Sequence, residues 1–313
     1  MDRKIIFILL TLITMALPLS AAGQKDNISS PQTQPDQEEA DNRSFSFTDS
    51  RGISRLYQEH PGTVISLGPN ITETIFALER GNLLIGRTDF CDYPPEVKEI
   101  TSIGSLMEPN METIVNLNPD LVIASTHVSP EVLEKLESYG IPTVLVYGEE
   151  SFQGMEDVIS GCAILLDAEL KGNEILADIR KRLKAVIESV EQNESPSRCY
   201  YALGFGAGGD WTAGGSTFIG ELMTLAGGEN IAFEQEGWSY SKEWLVEKQP
   251  EVIILNRGMK KEFLSLPIYK DLEASRNNRV FEIDENILVR QGPRQIEALE
   301  ELASIMVSGL DQP

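Results

Sequence analysis

Cysteine and histidine are scarce in this chain of 313 residues, with three of the first and two of the second. Cys91, Cys162 and Cys199 are too few for a disulfide scaffold; at most one intramolecular pair can form, and otherwise they suit a core as small hydrophobes. His60 and His127 form no cluster, and no CxxC motif occurs, so no zinc site of the usual His/Cys type is expected. Positive charge is the next shortage. Lys and Arg number 26 against 49 Asp and Glu, a formal charge of −23. This argues against a nucleic-acid partner or an anionic membrane surface. It leaves the charge of a small ligand open, because a basic pocket can coexist with an acidic exterior. Signatures of catalysis are missing too: there is no Gly-x-Ser-x-Gly elbow, metal-ligand triad or cofactor fingerprint. The Gly-rich segment Gly204 to Gly215 follows a strand pattern but lacks both the Lys-Ser/Thr ending of a P-loop and GxGxxG spacing. The loop acids Asp89, Asp92 and Glu108 do not by themselves make an active site, and the expectation is a protein that is not an enzyme, with no catalytic residues and no cofactor.

Long apolar runs are confined to the beginning. Arg3 and Lys4 precede an apolar stretch from Ile5 to Leu19, and Ser20-Ala21-Ala22-Gly23 supplies small residues for cleavage. The pattern predicts a signal peptide over 1–22 and a protein exported in soluble form. No cysteine ends the run to suggest lipid attachment. Residues 23–48 are rich in Gln, Asp, Ser and Pro and read as a disordered leader.

What is present in quantity is order of a repeating kind. Asn110-Met-Glu112 opens a short apolar helix pattern, and Pro119-Asp120 then leads into Leu-Val-Ile-Ala. Ser241-Lys-Glu243 does the same, and Pro250-Glu251 leads into Val-Ile-Ile-Leu. The glutamates are 131 positions apart, about the size of one small domain. Near-continuous apolar strands at 63–67, 83–86, 120–124 and 143–147 alternate with amphipathic helices, and 199–203, 251–255 and 279–283 repeat the scheme. The fold class is α/β, with two lobes (49–150 and 194–313), each a central mostly parallel sheet flanked by helices. Between them, 151–193 is helical. Its second part, 168–190, has Leu170, Ile175, Ile179, Leu183, Val186 and Ile187 at helical spacing over roughly 34 Å and can cross from lobe to lobe. Thr72 and Glu73 fall in what reads as the first turn of a helix capped at Asn70, where an acid suits the dipole.

Val64-Ile-Ser-Leu-Gly-Pro-Asn70-Ile-Thr-Glu73, Asp92-Tyr-Pro-Pro95, Asn110-Met-Glu112, Asn118-Pro-Asp-Leu-Val-Ile123 and Gly227-Gly-Glu-Asn230, in this order and spacing, resemble the helical-backbone (class III) substrate-binding proteins of ABC importers. That class handles cobalamin, ferric siderophores and haem, and the cobalamin binders are the nearest in pattern. The resemblance covers about 55–308 and implies a monomeric periplasmic protein with two lobes joined by one long bridging helix. It implies that Glu112 and Glu243 dock onto the two permease subunits, and that a corrinoid or another metal chelate sits between the lobes. Trp238, Arg290 and Phe90 match cleft positions. Ser125 stands where the cobalamin binders have a tryptophan, with His127 beside it, and Trp211 and Tyr240 are the compensating aromatics. Arg87, Arg257 and Arg294 are further candidates for an anionic chelate. Alternatives within the class are ferric-siderophore or haem capture; outside it, a surface receptor without a transport role.

Overall fold

A computed structural model describes residues 44–126, 128–191 and 195–307. The expected signal peptide, most of the leader and His127 lie outside the described residues. The end of that leader is not irregular: β1 (Phe45–Thr48) pairs antiparallel with β2 (Ser54–Tyr57). Alternation explains the difference. Phe45 turns inward to stack on Tyr57 and His60, with ring centroids 5.1 and 4.1 Å away, while its polar neighbours face out and hide the strand in the sequence.

Asp49 fixes this hairpin. Its buried carboxylate accepts from the Arg51 and Ile53 amides and from the Arg51 guanidinium, and Arg51 and Arg55 both donate to the Thr143 carbonyl of the first lobe. Burial alone would raise the Asp49 pKa, but the Arg51 hydrogen bond and the amides of Ile53, Arg51 and Leu145 outweigh it and hold the carboxyl below its ordinary range. Asp49→Ala is expected to cost about 2 kcal/mol at neutral pH, because it leaves the Arg51 and Ile53 amides without their acceptor and removes one of the two acids that hold Arg51, which keeps Glu137. The depressed pKa means this contribution is present above the unfolded value, about 3.9, and is lost as pH falls through the folded one. Urea unfolding at pH 7 and pH 3 checks it: the gap between wild type and variant must shrink on acidification.

In the first lobe β3 (Val64–Leu67), α1 (Pro69–Ala77), β4 (Leu84–Arg87), α2 (Met111–Leu117), β5 (Leu121–Ala124), α3 (Pro130–Ser138) and β6 (Thr143–Leu145) form a parallel sheet in the order β4-β3-β5-β6. Two helices follow, α4 (Phe152–Leu165) and α5 (Glu169–Val190). The second lobe contains β7 (Arg198–Ala202), β8 (Asp210–Trp211), α6 (Phe218–Leu225), β9 (Glu229–Asn230), β10 (Ser239–Tyr240), α7 (Lys242–Lys248) and β11 (Val252–Asn256). Short helices α8 (Lys260–Ser265), α9 (Pro267–Lys270) and α10 (Glu273–Arg276) lead to β12 (Val280–Ile283), α11 (Glu285–Val289) and α12 (Gln295–Val307). Its parallel sheet runs β9-β7-β11-β12, with β8 and β10 as a separate two-residue ribbon. Counted within each lobe, both sheets therefore have the order second-first-third-fourth, and the duplication seen in the sequence is one of topology.

Each sheet buries both faces, with side chains alternating between them. Val64, Leu121 and Ile123 face one core of the first lobe, while Ile65, Val122 and Ala124 face another. Cys199, Tyr201, Val252 and Ile254 divide in the same way from Tyr200, Ala202, Ile253 and Leu255. The cores on the first-named faces are shared with α4 and α5. The long bridging helix expected over 168–190 is α5, and α4 also contributes to both cores. α4 places Phe152, Met155 and Ile159 in the second lobe's core and Val158, Cys162 and Leu165 in the first's. α5 runs back, from Ala168 in the first to Leu176, Ile179 and Val186 in the second, with Ile175 packed against both. Gly172 brings the two helices close, since a Cβ there would lie 2.7 Å from the Ala163 methyl. α4 is rich in apolar residues and carries no periodic seam that would mark it as a bridge. All three cysteines are free and buried, and burial pushes the Cys162 and Cys199 thiols up to about 12. Among the described residues no helix is long and apolar enough to cross a membrane.

Candidate interlobe site

In parallel α/β sheets, binding loops gather at the carboxyl ends of the strands. Here those ends are where the lobes touch. After β3 the chain turns straight into α1, whose N-cap is Gly68 with Pro69 behind it. Asn70 is therefore not the cap. It is buried, and its amide donates to the Ser125 hydroxyl beyond β5 (2.8 Å) and to the Gln291 carbonyl of the second lobe (3.3 Å). Gln291 returns a bond to the Glu149 carbonyl beyond β6.

Glu73 lies beyond the first turn of α1, so the expected dipole role gives way to another. Arg290 Nη1 donates to Glu73 Oε1 at 2.8 Å and to Asp92 Oδ1 at 2.7 Å, while Nη2 reaches the Phe90 carbonyl. Arg294 grips the same Glu73 through two bonds, both 2.8 Å, with its guanidinium 3.8 Å from the Tyr93 ring centroid. The Glu73 side chain is only 3% exposed. Burial by itself would lower the pKa of either arginine; for Arg290 the hydrogen bonds it donates to Asp92 and Glu73 outweigh this, and for Arg294 those it donates to Glu73 do. Two guanidiniums from one lobe thus meet two carboxylates from the other.

The sequence-predicted residues divide into two groups. Phe90, Ser125 and Arg290 converge on the interlobe contact. Ser125 is 1% exposed and serves as a hydrogen-bond partner of Asn70, not as ligand surface. Phe90 is more than half exposed beside Asp92. Trp211, Trp238 and Tyr240 sit on or beside the β8–β10 ribbon, which meets the chain just beyond the carboxyl end of β7 where the Leu203 amide donates to the Trp211 carbonyl. The Thr212 amide donates to the Trp238 carbonyl, and both tryptophans keep exposed faces. Tyr240 corrects its assignment: it is 6% exposed, packs on Tyr200 and Trp244, and donates to the Ile231 carbonyl. Its position between two serines gave no sign of which face it would take. Among the described residues no hydrogen bond, ion pair or ring contact joins the Phe90–Arg290 group to the ribbon. Of the further arginines, Arg257 lies 3.8 Å from Asp284 and Arg87 donates to backbone carbonyls of Thr88 and Lys98. Sequence reasoning missed Asn70, Glu73 and Gln291 as interlobe partners; their contacts are more than two hundred residues apart along the chain, and no local spacing announces them.

The Gly-rich loop closes on its own lobe. Gly206 has φ +100° and donates its amide to the Tyr269 hydroxyl, which in turn donates to the buried Asp210.

The duplicated glutamates lie on equivalent elements. Asn110 caps α2 through the Thr113 amide, and Ser241 caps α7 through that of Trp244. Both helices end on a left-handed residue, Asn118 at φ 46° and Gln249 at φ 45°. The acid that follows each proline ties down the first strand of its lobe: Asp120 accepts from the Gly62 and Thr63 amides, Glu251 from that of Arg198. Glu112 and Glu243 are both exposed in the first turn. Ser241 donates to Glu243, and this bond, then the local amide, holds its carboxyl below the ordinary range.

Comparison with known proteins bears on this geometry. The chain is 29% identical over 252 residues to the Bacillus subtilis protein named "Uncharacterized ABC transporter substrate-binding lipoprotein YvrC", covering 79% of this chain and 80% of that one. It is 30% identical to the vitamin B12-binding protein of Vibrio parahaemolyticus, covering 76% of this chain and 87% of the relative. The apo periplasmic haem-binding protein RhuT of Roseiflexus sp. RS-1 superposes with a TM-score of 0.71 at 27% identity, over 78% of this chain and 97% of that one. A sequence profile described as "Periplasmic binding protein" matches residues 64–287, and with the two-lobed α/β fold this places the chain in the periplasmic binding protein family, whose work is binding for transport and not catalysis.

Proposed function

We propose that this protein captures cobalamin or a related corrinoid between its lobes in the periplasm, after export through a cleaved signal peptide, and delivers it to an ABC importer. The observation that carries the reading is the interlobe site itself. Large exposed aromatics (Phe90, Trp211 and Trp238) stand at strand carboxyl ends of both lobes, as a large, mostly apolar ligand requires. The name of the Vibrio relative supports the corrinoid; that of the Roseiflexus structure favours haem as the second reading. Glu112 and Glu243 dock onto the two halves of the permease.

Titration with cyanocobalamin, dicyanocobinamide, haemin and ferric siderophores, read by tryptophan fluorescence and native mass spectrometry, tests the ligand. One-to-one corrinoid binding is the expected result, and Trp238→Ala should weaken it roughly tenfold, in line with the loss of one aromatic anchor. Haem or siderophore binding with corrinoid silence would replace the ligand; silence throughout would remove the transport reading. Two crossing helices with shared cores should also keep closure small, so small-angle scattering should change little on loading.

A further inference from the structure

The polar wall of this site is unusual in that its cations are already spoken for. Arg290 and Arg294 face Glu73 and Asp92 at 2.7–2.8 Å, so the two positive groups are matched by two negative ones before any ligand arrives. Two of these four groups, Arg290 and Arg294, reach across from the second lobe and are largely buried by the pairing, with side chains 11% and 15% exposed. The partner that remains open is an acid, since Asp92 is 46% exposed on its side chain. The loop after β4 also carries the exposed Asp89, and the loop after β6, at the other edge of the sheet, carries the exposed Glu149; among the described residues no ion pair engages either carboxylate. A ligand approaching this wall meets backbone groups, aromatic faces and carboxylates.

We propose that Asp92 and Glu73 are specificity-determining residues that make the site reject ligands bearing free carboxylates and accept chelates whose periphery is uncharged amide. Holding both guanidiniums in internal pairs withdraws the groups that would otherwise receive a propionate or carboxylate. A ligand carboxylate would have to displace Asp92 from Arg290 or sit beside it, and like charges brought together at a partly desolvated surface are costly. An amide pays neither cost, since it can donate to Asp92 and accept from backbone amides. The inference rests on the proposed corrinoid reading and narrows it: within that ligand class the neutral, fully amidated form is the one taken, and dicarboxylate macrocycles are disfavoured.

The test compares cyanocobalamin with its monocarboxylates, in which one peripheral amide has been hydrolysed to the acid, so that size and shape are held and only charge changes. The quantity read is the ratio of their dissociation constants at low and high salt. Wild type is expected to bind at least one monocarboxylate about tenfold more weakly, with the gap shrinking as salt screens it. Asp92→Asn should narrow the ratio, because Arg290 regains unspent charge. Arg290→Gln should widen it, because the exposed Asp92 then faces the ligand with no cation paired to it, while Glu73 stays buried against Arg294. A residue that only holds the loop in shape would move both ratios the same way, and that result overturns the proposal, as does a wild-type ratio near one. Binding of both probes with no shift in either variant defeats the specificity claim while leaving corrinoid capture standing. Silence toward both probes defeats the capture reading, and the inference with it. Circular dichroism of each variant confirms that the compared proteins are folded.

Discussion

Replacing Glu112 and Glu243 together by alanine is expected to abolish uptake in cells while the purified protein binds its ligand as before. Each carboxylate is exposed on the first turn of a capped helix, and among the described residues neither forms an ion pair, Lys242 adding only a weak pull on Glu243. The two helices share their caps, their left-handed ends and the acid that anchors the neighbouring strand, so each lobe offers its glutamate from a fixed and equivalent platform. A partner made of two similar subunits, with one basic group on each, is complementary to that arrangement. If each contact contributes about 1.4 kcal/mol to docking, single substitutions weaken it roughly tenfold, and the pair, being on separate lobes, about a hundredfold. Charge reversal to arginine should exceed that by adding repulsion. Uptake of labelled ligand alongside fluorescence titration of the same variants separates the steps. If uptake persists in the double variant, the acids are only helix-terminal charges worth some tenths of a kcal/mol.

Much of this molecule was legible because its sheets are buried on both faces. Runs such as Leu121–Ala124 and Val252–Leu255 are continuously apolar, and their carboxyl ends are marked by a change to Ser, Thr, Asn or Gly. The duplicated helix was legible for a different reason: cap, first-turn acid, proline and strand all lie within fifteen residues, so one local pattern specifies the whole unit. What escaped had either alternation among polar residues or partners far away. Phe45 and Phe47 were hidden in a Ser-rich segment, although their alternation is that of a half-buried strand. The sequence does not mark α4 as a second bridge, because nothing in its composition distinguishes burial in one core from burial in two. Aromatic residues were found readily but not their direction: Trp211 and Trp238 keep exposed faces and Tyr240 does not. Glu73 shows the limit most clearly. An acid near a helix start has a sufficient local explanation, and the sequence offers no reason to look for Arg290 and Arg294 as its partners.

Glu73→Ala should be the most destabilising single substitution at the lobe boundary. It removes a carboxylate that holds two arginines at once, one of them through two parallel bonds, from a position 3% exposed. Arg290 would retain Asp92, but Arg294 would keep only the Tyr93 ring and the weaker pull of Glu297, leaving a largely buried cation without an ion-pair partner. Breaking a buried pair from one side costs about 4 kcal/mol, whereas exposed pairs are worth less than about 1 kcal/mol. Glu73→Gln keeps the shape and one acceptor and should cost about half as much. Because both arginines come from the second lobe, the loss should also appear as geometry: spin labels placed on α3 and α8 should report a broader interlobe distance distribution in Glu73→Ala than in wild type. A double-mutant cycle of Glu73→Ala with Arg294→Ala isolates their coupling, since removing both should cost less than the sum of the single losses. Urea unfolding supplies the energies. A cost below about 1 kcal/mol with unchanged distances would mean that α4 and α5 alone set the spacing of the lobes, and that the ion pairs merely occupy a boundary already fixed by the shared cores.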